Sequence, residues 1–304
     1  PIYRSARASM RAYAMHGRRN IIAGLLSKVI DSSARRKRSK VKFKTAVVPT
    51  IVIGGLRYGG SGKTPAALWV VNYLTNLGLR VGVLVRPTRR TTFVGEVKDD
   101  AHAERVGDEC TYLRRVLPIG SRLFAGRDLV NLQAVFAESV DVLVVDDGLR
   151  VTGLGLSLSV MMLDLSAAQG VFPMGPCRES LCKEHDFDLV WGHKGCSRQD
   201  AEIYGCDVVS AYEPSALVSS GNKVLPLSSL AGRRVQLVSG IGDPQSFYES
   251  VRGLDCTVSA IYEFGDHEPY SFAELGDVSR LTLTTEKDMA RNAAAENVWA
   301  LRVG

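Results

Sequence analysis

The sequence predicts an α/β fold of two domains with parallel sheets, the first built around a phosphate-binding loop. Three observations carry this. From residue 46 onward, short apolar runs alternate with helical patterns, the arrangement that makes parallel sheets with crossover helices. One of those runs leads directly into a glycine-rich loop, then Lys63-Thr64, then a helix opened by Pro65. Finally, 304 residues suffice for two ordinary domains, and the strand-like runs are too many for one sheet at that length.

The composition excludes several classes. Hydrophobic residues make up 45% and charged residues 23%, which is ordinary for a globular protein and unlike a disordered, collagen-like or coiled-coil chain. No apolar stretch in the sequence is long enough for a complete transmembrane helix. The six cysteines, Cys110, Cys177, Cys182, Cys196, Cys206 and Cys256, include no CxxC pair. That argues against a disulfide scaffold, a zinc finger or a redox motif, and for free thiols in a reducing compartment.

The net charge of +6 hides an asymmetry. Residues 1–44 carry 13 Lys and Arg against one acid, Asp31, which leaves 25 basic and 31 acidic groups in the rest. A basic head thus precedes an acidic body. Residues 5–30 read as a basic amphipathic helix with Met10, Tyr13, Ile22, Leu25 and Ile30 on its apolar side. The run Arg35 to Lys44 follows. Three readings fit this head: a solvated linker, a surface that meets anionic lipid, or the remnant of an organelle-targeting segment. Nucleic-acid binding is not expected, because the body is acidic and has no basic–aromatic module.

The remaining elements follow in order. Strands are expected at 47–53, 81–85, 142–145, 159–163, 188–191, 235–239, 258–262, 281–284 and 298–302. Helices are expected at 65–77 and 128–139. Residues 167–184 hold Gly170, Pro173, Gly175 and Pro176 in quick succession, which suits a hinge. The expected organisation is a head over 1–44, a nucleotide-binding domain over 45–166, a hinge over 167–185 and a second α/β domain over 186–304.

The strongest chemical signal is the loop after the first strand. Gly59, Gly60, Ser61 and Gly62 allow backbone N–H groups to approach phosphate oxygens closely, and the following helix N-terminus adds positive potential. Lys63 would reach the β- and γ-phosphates, and the Thr64 hydroxyl would hold Mg²⁺. Arg57 replaces the first glycine of the strict spacing, so the match is to GGxGKT. Asp141–Gly148 is an apolar strand ending in Asp146 and Asp147, which by itself reads as an Asp-Gly turn. Downstream of the loop it reads as the second metal contact. Asp108 and Glu109 follow Gly107, and His267 lies in a polar turn. Loop capping is the bland reading of both, and an Asp–His pair serving as base for a hydroxyl is the functional one. Thr285–Asp288 departs from the guanine-reading NKxD order and reads as a strand-to-helix cap. His16, His102, His185 and His193 have no ligand-like spacing and read as solvated or core residues.

These blocks in this order resemble the tetraacyldisaccharide 4'-kinase family of lipid A biosynthesis. The match runs through Val52–Pro65, Arg80–Arg86, Val106–Glu109 (VGDE), Gly126–Asp128, Asp146–Leu149 (DDGL), Pro173–Glu179 (a GPxRE-like block), Gly240–Pro244, Gly265–His267 and Thr285–Asp288 (TEKD). The resemblance implies a P-loop NTPase-like domain hinged to a smaller one, with ATP and Mg²⁺ as cofactors. It implies transfer of the γ-phosphate to the 4'-hydroxyl of a tetraacylated glucosamine disaccharide 1-phosphate. It also implies a peripheral or singly anchored enzyme at a membrane surface, either the cytoplasmic face of a bacterial inner membrane or an organelle such as the mitochondrion. Lys63 and Thr64 map onto phosphate and metal binding, and Asp146 and Asp147 onto the metal side. Asp108 and His267 map onto the catalytic base pair, Arg127 and Glu179 onto further active-site positions. The chain departs from the family at Arg150-Val151, where the pattern has Gln-His, and at residues 85–90, which lack the usual glycines. A non-catalytic nucleotide- or glycolipid-binding homologue and a P-loop ATPase switch are the alternatives. No oligomeric state follows from the sequence.

Overall fold

The computed structural model describes residues 21–57, 60–87, 91–99, 103–164, 170–180, 187–194, 198–265, 268, 270–272, 275, 280–292 and 296–304. These form two compact units that meet in the sequence between Ala211 and Tyr212.

The first unit begins with helix α1 (Ile21–Arg38). Four cations close its last turn, where they complement the negative end of the helix dipole. Two-residue strand β1 (Lys44–Thr45) precedes β2 (Thr50–Gly55), and helix α2 (Lys63–Asn76) follows the loop. Then come β3 (Val81–Val85), β4 (Gly95–Glu96), α3 (Ala103–Val106), α4 (Asp108–Val116), β5 (Arg122–Ala125) and α5 (Leu129–Phe136). Strands β6 (Val142–Asp146), β7 (Gly155–Leu156), β8 (Leu158–Asp164) and β9 (Leu189–His193), helix α6 (Arg198–Tyr204) and β10 (Val208–Ser210) complete the unit.

Eight of these strands form one sheet in the order β10-β9-β8-β2-β6-β3-β5-β4. All neighbours are parallel except β4, which runs antiparallel to β5 at the edge. Parallel sheets need cover on both faces, and the sequence supplies it by alternation. Ile53, Val83, Leu123, Val144 and Met162 join a core on one face with Ala66, Val71, Cys110 and Leu113 of α2 and α4. Their sequence neighbours Val52, Leu84, Phe124, Val145 and Met161 join the core on the other face with Leu129 and Leu132 of α5. A sheet apolar on both sides reads as continuous hydrophobic runs, which is why β2, β3, β6 and β8 are legible in the sequence.

The domain boundary differs from the expected one. The sequence places a hinge between domains at 167–185, yet β9 and β10 extend the first sheet beyond it. The described stretch, 170–180, is fastened to the phosphate-loop strand. Arg178 N–H donates to the Leu56 carbonyl at 2.7 Å, and Arg57 and Val171 each bridge Cys177. The glycines serve close approach: a Cβ on Gly175 would stand 2.2 Å from the Gly170 carbonyl oxygen. Glycine and proline density here marks a tight turn rather than a hinge.

The helix expected over 5–30 also differs. Residues 1–20 lie outside the described residues, and the described helix runs on to Arg38. It is not a solvated linker. Ser27 donates to the Val171 carbonyl at 2.9 Å. The Asp31 carboxylate accepts from the N–H and the hydroxyl of Ser180, both at 2.8 Å. Arg38 lies over the Phe187 ring, 4.3 Å from its centroid.

The second unit, from Tyr212 on, has its own sheet. Strands β11 (Pro214–Val218), β12 (Val224–Leu225), β13 (Arg233–Ser239), β14 (Cys256–Glu263), β15 (Leu281–Thr285) and β16 (Val298–Val303) assemble in the order β12-β11-β16-β15-β13-β14. The last four are mutually parallel; β11 runs antiparallel to both β12 and β16. Helix α7 (Pro244–Arg252) packs Phe247 and Val251 on Val235, Leu237 and Leu283. Helix α8 (Glu286–Arg291) is capped by the Thr285 hydroxyl, which accepts from Asp288 N–H at 3.1 Å, so Thr285–Asp288 is the strand-to-helix cap that its order suggested.

Candidate active site

Parallel strands place all their carboxyl ends at one edge of a sheet, where open α/β folds bind ligands. Here that edge gathers the loop after β2, Asp146 at the end of β6 with Asp147 directly after it, Arg127 after β5, and residues at the ends of β8 and β9.

The phosphate loop is built for backbone exposure. Gly62, the N-cap of α2, has φ 77°, the left-handed region that disfavours side chains. A Cβ there would also lie 2.5 Å from Cδ2 of His193. Gly59 lies outside the described residues, whereas Gly60, Ser61 and Gly62 are described. Lys63 reaches across the loop, its Nζ donating to the Ser61 hydroxyl at 3.0 Å and standing 4.0 Å from Asp147 Oδ1.

The two candidate metal contacts meet. Thr64 Oγ1 donates to Asp146 Oδ2 at 2.7 Å. This pairing follows from register, because Ile53 of β2 sits opposite Asp146 of β6. Asp146 is buried, and its Oδ1 has no hydrogen-bond partner among the described residues. Burial pushes its carboxyl up to about 7, helped by the charges of Glu109 and Asp147 and opposed by Thr64 and Lys63. Glu109 therefore belongs to the electrostatics of this site. A buried, under-neutralised carboxylate beside a hydroxyl fits a hard divalent cation. Mg²⁺ characteristically takes one or two protein oxygens and completes its shell with phosphate and water. Asp147, at φ 58°, turns out of the strand, and Arg178 Nη1 lies 3.9 Å from its Oδ2.

Glu179 is fully buried. Its Oε1 lies 3.2 Å from Arg150 Nη1 and 3.5 Å from Arg38 Nη1. Arg150, one of the departures from the family pattern, thus neutralises a buried carboxylate. Arg127 is exposed on the turn before α5, whose N-cap Asp128 accepts from Asn131 N–H at 3.0 Å. Asp108 opens α4 after Gly107, but its side chain lies outside the described residues, as does His267. Their pairing stays an expectation from the sequence.

Sequence reasoning missed a group beneath the loop. Arg57 Nη1 pairs with Asp164 Oδ2, a carboxylate shut off from solvent at the end of β8. That partner accounts for an arginine at the position where strict phosphate loops have glycine. Lys194, directly after β9, is buried, with its Nζ 3.3 Å from the Gly60 carbonyl oxygen. His193 is a buried histidine, as its lack of ligand spacing suggested. Its Nδ1 lies 2.9 Å from the Ser210 hydroxyl, and burial lowers its pKa to about 4.

A family model described as Tetraacyldisaccharide-1-P 4'-kinase matches residues 21–304. The chain belongs to that family. A tetraacyldisaccharide 4'-kinase of Pseudomonas putida is 33% identical over 90% of this chain and 84% of its own length. One from Shewanella frigidimarina is 31% identical over 90% and 82%. Among solved structures, LpxK from Aquifex aeolicus, crystallised with ATP, matches with a TM-score of 0.71 and 25% identity, over 98% of this chain and 94% of that one. The kinase family match extends from α1 through β16, so both units and the docked helix belong to one family fold. Among the described residues, no helix is long and apolar enough to cross a membrane.

Proposed function

We propose that this kinase-family protein transfers the γ-phosphoryl group of ATP to the 4'-hydroxyl of a tetraacylated glucosamine disaccharide 1-phosphate, a step of lipid A biosynthesis. The observation that carries the reading is the Thr64–Asp146 contact at the mouth of the phosphate loop, with Lys63 beside Asp147, in a chain matching the family over residues 21–304.

Phosphoryl transfer leaves a protein little covalent work, so catalysis is positioning and charge neutralisation. Lys63 and the N–H groups of Gly60 to Thr64 would hold the phosphate chain. Thr64 and Asp146, with Asp147 behind them, would hold Mg²⁺, which when bound neutralises charge on the phosphate oxygens. Asp108 would orient His267, and His267 would take the proton from the 4'-hydroxyl as its oxygen bonds to the γ-phosphorus and the bond to the β-phosphate oxygen breaks. Arg127 would stabilise charge on the group in flight.

The acceptor's acyl chains belong in a bilayer, so the protein works at a membrane surface. In this reading the exposed Arg36, Lys37, Lys40, Lys42 and Lys44 face anionic headgroups. Either the cytoplasmic face of a bacterial inner membrane or an organelle membrane would suit.

The test is phosphotransfer from labelled ATP to a panel of acylated glucosamine disaccharide 1-phosphates. ADP release that depends on the acceptor, with label at the 4' position, is expected. Release at the same rate without acceptor would favour a P-loop ATPase switch. Nucleotide binding without turnover would favour a non-catalytic homologue.

A further inference from the structure

Beneath the phosphate loop lies an ionic group that no phosphate contact requires. Asp164 closes β8 with its carboxylate shut off from water. Arg57 enters from the strand-to-loop turn and Lys194 from the end of β9, its Nζ 3.9 Å from Asp164 Oδ2. Arg57 and Lys194 both face this buried carboxylate, and Lys194 also reaches the Gly60 carbonyl oxygen, 3.3 Å away. The lysine is held there at some cost. Its φ is 61°, a conformation that non-glycine residues rarely adopt, and its side chain is only 10% exposed. Its backbone N–H is fixed by the Ser210 carbonyl at 3.0 Å. A strained, buried lysine aimed at a loop carbonyl is the kind of outlier that points to function.

We propose that Lys194 is a positioning residue for nucleotide binding, which sets the orientation of the Gly60–Ser61 peptide in the phosphate loop. A trans peptide is planar, with its C=O and N–H on opposite sides. Drawing the Gly60 carbonyl toward Lys194 turns the Ser61 N–H the other way, into the loop's concave side. Without that hold, glycine's freedom lets the peptide rotate and present a carbonyl dipole to an incoming phosphate. Asp164 and Arg57 set the lysine's reach, and the His193 ring packed on Gly62 limits the loop from the same side. Lys194 need touch no nucleotide to do this.

The inference rests on the nucleotide-binding half of the proposed function and is tested by binding alone. Titration of the full chain with Mg·ADP and Mg·ATP is compared for Lys194→Met, Lys194→Gly and Lys194→Arg, with urea unfolding alongside. Loss of one charge-assisted hydrogen bond predicts affinity about ten- to a hundredfold weaker for Met and Gly, with partial recovery for Arg. Lys194→Gly relieves the backbone strain, so it should unfold at a urea midpoint no lower than Lys194→Met while still binding poorly. In steady state, KM for ATP should rise and KM for the acceptor should not. Wild-type nucleotide affinity in either Lys194→Met or Lys194→Gly overturns the assignment. So does loss of cooperative unfolding in both, which would make Lys194 a structural pillar. If the wild type binds ATP but phosphorylates no disaccharide, the functional reading fails and this one stands.

Discussion

The hydroxyl of Thr64, first turn of α2, donates to the carboxylate of Asp146, last residue of β6, at 2.7 Å. This joins the phosphate loop to the neighbouring strand through the two side chains best suited to a divalent cation. It also fixes Asp146 with one oxygen occupied and the other lacking a partner among the described residues. In the proposed function this pair would take a divalent cation, and preorganised electrostatics is the main resource of a phosphoryl-transfer enzyme.

Lys63→Ala tests the loop directly. The side chain contacts Ser61 and Asp147 rather than the core, so the fold should persist. Turnover should fall by about a hundredfold or more. A folded variant that keeps more than about a tenth of wild-type kcat would remove Lys63 from the mechanism.

Arg57→Gly restores the strict loop spacing and should nevertheless harm the protein. It strips one cation from the buried Asp164, whose distance to Lys194 is 3.9 Å rather than that of a close ion pair. Removing one side of a buried pair costs about 3 kcal/mol. Urea unfolding reads this, and an unchanged midpoint would mean that the ion pair does not hold the loop.

Asp108→Ala and His267→Ala should each depress kcat strongly, with the double variant little worse than either. Residues acting as one unit are non-additive in this way. Losses that multiply in full would separate the two, and His267 would then be assigned to acceptor binding.

Glu96 gives a pH-dependent stability. The Arg122 guanidinium, bonded at 2.8 and 3.0 Å, lowers its pKa to about 2, against a smaller opposing effect of burial and with help from Lys98. Its folded pKa lies below its unfolded value, so the stabilisation is complete above the ordinary carboxylate range. It is lost as the pH falls toward 2. Glu96→Gln should cost about 1 kcal/mol at neutral pH and flatten the acid limb of the stability profile. Parallel acid limbs for the two proteins would exclude this pair as the source.

Much of this was legible because of how the residues are arranged. Strands β2, β3, β6 and β8 announce themselves as unbroken apolar runs since both faces are covered. Arg122–Ala125 and Val208–Ser210 are too short to show a period, so β5 and β10 did not. Lys63, Thr64 and Asp146 could be singled out because a loop and a strand end carry local signatures, and the structure brings Thr64 and Asp146 together. Arg57, Asp164 and Lys194 were not, because three residues spread over more than a hundred positions meet only through the β2–β8–β9 register. The turn at 170–180 misled for a related reason: glycine and proline mark where the chain bends, and only tertiary contacts decide whether a bend is fastened down.

The docking of α1 changes how the basic head can be studied. Glu179 is sealed from solvent with Arg38 and Arg150 as its countercharges, so Arg38 contributes to the interior's charge balance. Deleting the first 44 residues would leave that carboxylate with Arg150 but without Arg38, and would expose the surface around Ser180 and Phe187. Weak vesicle binding by such a trimmed protein would then report damage as readily as lost attraction. Replacing Arg36, Lys37 and Lys40 with glutamine removes outward charge and leaves the helix seated. The proposed membrane attraction and the structural integrity then become separable experiments, because outward cations and the seating contacts of the helix sit on different residues.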